Sequence, residues 1–382
     1  MKILRIEPIA VSLPLTHPIK RSKGVLTSAD NVLVRIEAGG VVGWGEAGSA
    51  PTMTGEFMES MVAAVNYLAP ILAGVELADI AHMSALMDAN LYGNSGAKAA
   101  IEMALHDALG KVLGKPVYEV LGTKRRSRIP ALRMIASGDA AADVIEATRC
   151  KAEGYVAYKI KVGAGDVQHD IARTRQVCAA LGSDVLICAD ANQNWSVAQA
   201  LDYVRAVADT TLNFLEQPVA ADDLAGMAAI AAATRIAIGC DEGVHGSADI
   251  RRHHAARAAS GASLKAIKMG GLRPMYDAAL LCDELGLHVN LACKIAESGI
   301  ATAAVLHMAA AVPSLDWGVS LTSQYLAEDV LVHPLAFKDG HAAVPDGPGL
   351  GIEVDEARVR RFAAGFWPKA ETDFKSPPAG KI

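Results

Sequence analysis

VAYKIKV at residues 156–162, LICADAN at 186–192, FLEQP at 214–218, IGCDEG at 238–243 and SLKAIKMGG at 263–271 share one rhythm. Each is a short apolar run with charge at or near its end: Lys159 and Lys161, then Asp190, Glu216, Asp241 and Lys265. The last five charges are separated by 29, 26, 25 and 24 residues. A buried strand, its helix and two turns take about 25 residues, so a charge returning at that interval marks one position in consecutive βα units.

Working outward, apolar runs at Ile129–Ile135, Val156–Val162, Val185–Ala189, Leu212–Leu215, Ile236–Cys240, Ser263–Ile267, His288–Ala292 and Leu315–Val319 predict eight strands. Helical spacing follows each, and Gly182, Gly261 and Gly286 stand where helices should stop. The class is α/β, and the pattern predicts a TIM-like (β/α)7β barrel over residues 128–325. A doubly wound sheet would be favoured by a Gly-rich phosphate loop opening the first helix, and none is present.

Before residue 128 the chain reads differently. Strands are expected at Leu4–Leu13, Asn31–Glu37 and Val41–Trp44, the last two joined at Gly39-Gly40. Helical stretches follow at 55–72, 79–91 and 95–113, closed by Gly114 and Pro116. Residues 1–127 are thus expected to be an α+β capping domain. The tail, 326–382, carries a turn-rich run from Val344 to Gly351 and is expected to return to the cap and complete it.

Composition narrows the function. With 382 residues, 52% of them apolar, the chain can build a large core. The net charge of −6 and the lack of a Lys/Arg-rich stretch argue against nucleic acid as a partner. No apolar run reaches the ~18 residues of a membrane span, and Pro8 and Pro14 interrupt a start that does not read as a signal peptide. Six scattered cysteines without a C-x-x-C pair read as reduced thiols, which predicts a cytoplasmic protein.

Strand ends at one face of such a barrel are where active sites form. Asp190, Glu216 and Asp241 would repel one another there unless a cation joined them, and an all-oxygen donor set suits Mg²⁺, with Mn²⁺ in its place. Helix caps or ion pairs are the plainer reading of any one of these acids. Lys159 and Lys161, two apart in a strand, share a face, so both should enter the barrel. Adjacent like charges and a nearby dication would lower a lysine pKa from ~10.4 toward the 7–8 of a working base. Lys265 lies four strands further round and would approach a ligand from the opposite side. One lysine could take the α-proton of a bound carboxylate substrate, and the resulting enolate would be held by the metal and the remaining ammonium group. Reprotonation from the other face gives racemisation or epimerisation; other fates give cycloisomerisation or elimination. A Schiff-base lyase using Lys161 or Lys265 and a non-catalytic barrel are the competing classes, and neither gives the three acids a role.

The same residues resemble the enolase superfamily, muconate-lactonizing-enzyme subgroup. Its pattern is K-x-K on the second barrel strand, Asp, Glu and Asp on the third to fifth, and Lys on the sixth. Ala189-Asp190-Ala191-Asn192, Glu216-Gln217-Pro218, Asp241-Glu242 and Lys265 through Gly271 match it. So do Ala100-Ile101-Glu102 through Asp107 in the cap and Pro348-Gly349-Leu350-Gly351 in the tail. The resemblance implies a catalytic Mg²⁺ and a homo-oligomer, often an octamer. It also implies that Lys161 and Lys265 transfer protons, that Lys159 gives electrostatic support, and that Asn192 and Glu242 stand behind the metal ligands. For substrate contacts the sequence offers Trp317, as a stacking surface or as a plain seal on the barrel, Ser320 where muconate cycloisomerases carry an acid, and Lys20 in a basic lid loop, 16–24. Glu297 either meets substrate or opens a helix, and Lys294 beside it has no assigned role.

Overall fold

The computed structural model describes residues 1–21 and 24–363, with the backbone alone at positions 20, 21, 24 and 25. The chain begins with an antiparallel sheet of β1 (Ile3–Arg21), β2 (Gly24–Ala38) and β3 (Val41–Gly48). Helices α1 (Met58–Leu72), α2 (Ile80–Asn90), α3 (Ser95–Leu113) and the short α4 (Val117–Leu121) follow. The three long helices lie where their apolar spacing and stop signals predict. The expected lid loop differs. Its backbone continues the first two strands as a hairpin arm, paired out to Arg21 and Gly24 with an irregularity between Pro14 and Ile19.

Helix α3 lies against β3 closely enough that two glycines are required. A Cβ on Gly43 would stand 2.2 Å from Ala104 O, and one on Gly45 would stand 2.0 Å from Ala100 O. Backbone cannot yield to such contacts without moving the helix. Gly45→Ala is therefore expected to cost about 3 kcal/mol or to prevent folding, read from the urea midpoint. An unchanged midpoint would show that α3 can slide.

The predicted barrel forms. Strands β5 (Leu132–Ile135), β6 (Ala157–Lys161), β7 (Leu186–Asp190), β8 (Phe214–Glu216), β9 (Ala237–Cys240), β10 (Gly261–Leu264), β11 (His288–Ala292) and β12 (Val319–Ser320) are parallel neighbours in that order. A bridge between Ala131 and Val319 closes the ring. Helices α5 (Ala140–Ala152), α6 (Val167–Leu181), α7 (Val197–Ala206), α8 (Leu224–Ala232), α9 (Ser247–Ala255), α10 (Ala266–Met269) with α11 (Leu272–Glu284), and α12 (Gly299–Ala311) fill the crossovers. Seven βα units and a final strand result.

The first, sixth and eighth barrel strands differ most from the sequence reading. The run at 129–135 is shared between two sheets: β4 (Arg128–Pro130) pairs with the tail hairpin β13 (Phe337–Lys338) and β14 (His341–Ala343), and only the residues after Ala131 enter the barrel. The sixth strand stops at Leu264, because residues 266–269 coil into one helical turn. The eighth starts at Val319, since Trp317 turns into the barrel floor.

The described part of the tail runs through α13 (Glu356–Phe362), with 364–382 outside the described residues, and lies against the cap: Leu350 N donates to Asp107 Oδ1 (2.8 Å), Tyr118 OH donates to Asp346 (2.8 Å), and Pro116 bridges Gly349. Buried carboxylates also fasten cap to barrel. Glu102 of α3 accepts from Leu272 N (2.6 Å) and Arg273 N (2.9 Å) at the start of α11. Glu46 of β3 accepts from Ser298 N (2.8 Å), Ser298 Oγ (2.6 Å) and Ala301 N (3.0 Å) at the start of α12. Both accept from N–H groups that a helix N-terminus leaves without intrahelical partners.

His307 of α12 is fully buried beside Tyr118, and its Nδ1 accepts from Tyr118 N (3.3 Å). Burial lowers its pKa to about 4. Below the unfolded value near 6.5 the unfolded chain takes up a proton that the folded chain refuses, so stability falls as pH drops from 6.5 toward 4. The loss reaches about 3 kcal/mol. His307→Gln should flatten that part of the pH–stability curve, and an unaltered slope would contradict the assignment.

Candidate active site

Parallel register carries the charged residues to one end of the barrel. Lys159 lies beside Cys188, Lys161 beside Asp190, and Asp190 beside Glu216; Asp241 follows the last residue of β9, and Lys265 follows β10. Alternate residues face inward, so the layer beneath is Cys188, Phe214 and the indole of Trp317. All six residues singled out by spacing are thereby brought together.

Their contacts form a charge lattice. Lys161 Nζ donates to Asp190 Oδ2 (2.6 Å) and Asn192 Oδ1 (2.9 Å). Lys159 pairs with Glu216 and lies 3.8 Å from Asp190. Lys265 pairs with Asp241, which also accepts from Lys268 Nζ at Oδ1 (2.6 Å). Asn192 Nδ2 donates to Glu242 Oε1 (3.1 Å), so Asn192 links Lys161 to Glu242.

The acids dominate the lysine electrostatics. Burial pulls the Lys159 and Lys265 amines down, but Glu216 and Asp190 outweigh it at Lys159, and Asp241 and Glu216 at Lys265. Both end above the ordinary lysine value, held protonated. The lowering expected at the lysines rests on a nearby dication as well as on like charge, and the acids by themselves act in the other direction. Burial raises Asp190 and Asp241, and the lysines more than offset it, leaving both below the usual carboxylate range. Glu242, buried and facing Asp241 and Asp190, is pushed up to about 7.

As they stand, the acids lean on lysines, and among the described residues no three His, Cys, Asp or Glu side chains converge into a ligand cluster. The donor set still suits a hard dication. It is all carboxylate, it sits on three adjacent strand ends, and Glu216 Oε1 is buried with no partner.

Two residues that the sequence reading passed over hold the acids in place. Gln217, with left-handed φ of 36°, turns its amide back so that Oε1 accepts from Asp241 N (2.9 Å) and Gly243 N (3.1 Å). Lys268, on the helical turn after Lys265, is fully buried and bonds Ser263 O (2.9 Å) as well as Asp241. Burial, with Lys265 nearby, lowers its pKa. Its spacing, three residues after Lys265, was the available signal, hidden because that stretch reads as strand.

Two of the substrate contacts offered by sequence are corrected. Trp317 is stacked on Phe214 (centroids 3.9 Å apart, planes at 4°) and on His288 (5.1 Å), below the charged layer. A Cβ on Gly239 or Gly261 would strike its ring at 2.9 or 2.6 Å, so it seals the floor and leaves no face for a ligand. Glu297 is buried with its oxygens taken by Gly48 N (2.9 Å) and Lys294 N (2.8 Å), which ties β3 to the loop after β11. Ser320 does end β12 at the mouth, its hydroxyl buried without a partner. The side chain of Lys20 lies outside the described residues.

Residues 5–122 match the mandelate racemase / muconate lactonizing enzyme N-terminal domain, and residues 142–358 match the enolase C-terminal domain-like family. The chain belongs to the mandelate racemase / muconate lactonizing enzyme family of the enolase superfamily. Within that family it is 31% identical over 367 residues to a chloromuconate cycloisomerase of Cupriavidus necator, covering 95% of this chain and 99% of the relative. It is 31% identical over 374 residues to an N-succinyl-L-Arg/Lys racemase of Bacillus cereus, covering 95% and 98%. The crystal structure of a muconate lactonizing enzyme from Pseudomonas fluorescens superposes with a TM-score of 0.91 at 32% identity, covering 94% of this chain and 98% of the other. The protein is an isomerase of this family, on the muconate-lactonizing side of it. No helix among the described residues is long and apolar enough to cross a membrane.

Proposed function

We propose that this family member moves the α-proton of a small carboxylate substrate, as a racemase or epimerase, with Lys161 and Lys265 as the two proton-transfer groups. The observation that carries the reading is their placement: β6 and β10 are four strands apart in a ring of eight, so the two amines address opposite faces of whatever lies between them. Asp190, Glu216 and Asp241 would hold Mg²⁺, with Mn²⁺ able to substitute. When bound, the cation draws electron density from the substrate carboxylate and acidifies the adjacent C–H. Lys159, buried and held protonated by Glu216, supplies a fixed positive charge as negative charge develops on the substrate. Asn192 keeps Lys161 directed inward, and Gln217 and Lys268 keep Asp241 in place.

Ser320 gives no acid at the position where the sequence pattern of muconate cycloisomerases carries one, which favours racemisation over lactonisation. Elimination from the same carbanion-like species would require a leaving group on the β-carbon. Six buried, unpaired thiols favour the reducing cytoplasm, and we extend to this chain the homo-oligomeric assembly, up to an octamer, that its family resemblance implies. The test is incubation with N-modified amino acids, betaines, dipeptides and muconates in D₂O, read by mass spectrometry and chirality. Wash-in of one deuteron at the α-carbon with loss of optical purity is the expected result. A change of mass or connectivity without exchange would point to another reaction.

A further inference from the structure

Behind the barrel wall, α5 and α6 enclose three charged side chains that the proton-transfer reading does not use. Asp143, Asp170 and Arg173 are 1%, 2% and 3% exposed. Arg173 Nε donates to Asp143 Oδ2 (2.9 Å), and its Nη1 donates both to Asp170 Oδ1 (3.0 Å) and to the carbonyl of Lys161 (3.2 Å). The two carboxylates reach on to loop backbone: Asp170 Oδ2 accepts from Gly163 N (2.7 Å), and Asp143 Oδ1 accepts from Ser137 N (2.9 Å). On this flank β5 ends at Ile135, opposite Ile160, so Lys161 has no strand residue beside it and Arg173 takes its carbonyl. On the other flank Val162 N donates to Asp190 O (3.0 Å), and Gly163, at φ 84°, lies where a Cβ would stand 2.7 Å from Ala191 O. Residues 161–163 are thereby held from both sides. A buried ion pair is weak grounds for stability, since apolar residues of similar volume often do as well. What a guanidinium fork between two carboxylates does give is fixed direction, because its donors lie in one rigid plane. Lys265 is held by other means: its carbonyl accepts from Lys268 N (3.0 Å) and Met269 N (3.1 Å) in the helical turn that follows.

We propose that Asp143, Arg173 and Asp170 form a clamp of positioning residues that sets where Lys161 stands, and so how fast a proton moves at one face of the substrate. The proposal rests on the reading of Lys161 as a proton-transfer group. All three residues act through the backbone at the end of β6, without touching substrate. Their loss therefore reaches the Lys161 face and spares the Lys265 face, which hangs from a different strand and turn.

The test is α-proton exchange in D₂O by the full-length protein in Mg²⁺ buffer, read by mass spectrometry. The probes are N-acetylalanine and N-acetylphenylalanine, each enantiomer given separately, and Lys265→Ala marks the enantiomer that Lys161 serves. Arg173→Lys keeps the charge that the two carboxylates need but loses the fork. It should slow exchange of the Lys161-served enantiomer by about ten- to a hundredfold, the cost of misplacing a reacting group by up to about 1 Å, and leave the other within about twofold. Asp170→Ala should do the same, and Asp170→Asn, which still offers Gly163 N an oxygen, should recover most of the rate. A triad that only supported the fold would slow both enantiomers together; that result, or no change in either, overturns the proposal. If Arg173→Lys does not fold, Asp170→Ala decides on the same comparison. If the wild type exchanges none of these probes, backbone hydrogen exchange of the protein without ligand decides instead. Peptides covering 160–165 should then exchange about tenfold faster or more in Arg173→Lys, while those covering 262–267 keep their protection. That outcome upholds the clamp without the isomerisation reading, and unchanged protection at 160–165 overturns it.

Discussion

Lys161→Ala and Lys265→Ala should each lose racemisation by about a thousandfold, the range of a positioned acid–base group, yet each should still exchange the α-proton of one enantiomer in D₂O. The two variants should differ in which enantiomer they exchange. The reason is geometric. Each amine reaches its own face of the substrate, so removing one leaves the other able to take and return a proton on its side, while inversion needs both. Lys161 leans on Asp190 and Asn192, and Lys265 on Asp241, so the two are held by different strands and neither substitution disorders the other. Chiral chromatography with mass detection reads the result. If either variant exchanged both enantiomers equally, the two-base arrangement would be wrong.

Chelation should reduce turnover to below about 1% of the starting rate, and Mg²⁺ or Mn²⁺ should restore it. Asp190, Glu216 and Asp241 concentrate three buried carboxylates at adjacent strand ends, and without a cation they are balanced by Lys159, Lys161 and Lys265, which the reaction needs, and by Lys268. Released from the acids, those amines lose the interaction that holds Lys159 and Lys265 above the ordinary lysine pKa. A dication thus changes both the substrate and the bases. Binding should also be visible without turnover: at a hundredfold excess over its dissociation constant the ion would add about 2.7 kcal/mol to stability. Asp241→Asn should remove most of that gain in a thermal melt. Full activity in metal-free enzyme would exclude the metal role.

Much of the barrel was legible because periodicity is a local property. The charges at Lys161, Asp190, Glu216, Asp241 and Lys265 recur at the length of one βα unit, and strands buried on both faces advertise themselves as apolar runs. Where the sequence left alternatives open or misplaced an element, the deciding influence was not local. Trp317 could stack on a ligand or seal the barrel, and Gly239 and Gly261, from two other strands, decide for the seal by opening the floor beneath it. Glu297 could meet substrate or open a helix, and Gly48 N arriving from the cap decides against the substrate. Residues 266–269 carry a strand-like sequence, yet the chain coils there and sends Lys268 down to Asp241. The lid residues from 16 onward have loop composition, but β1 and β2 pair again there, Ile19–Arg21 against Gly24–Leu26.

The sequence by itself determined the architecture, the family and the set of acids and lysines at the mouth, since spacing along the chain carries all three. Tertiary structure decided the partners: which lysine holds which acid, and which carboxylates serve helix ends rather than substrate. Those outcomes depend on groups far apart in the chain, such as Glu46 and Ser298 or Glu102 and Leu272. A buried charge takes the nearest opposite charge or N–H, and proximity across a fold is what no local pattern records.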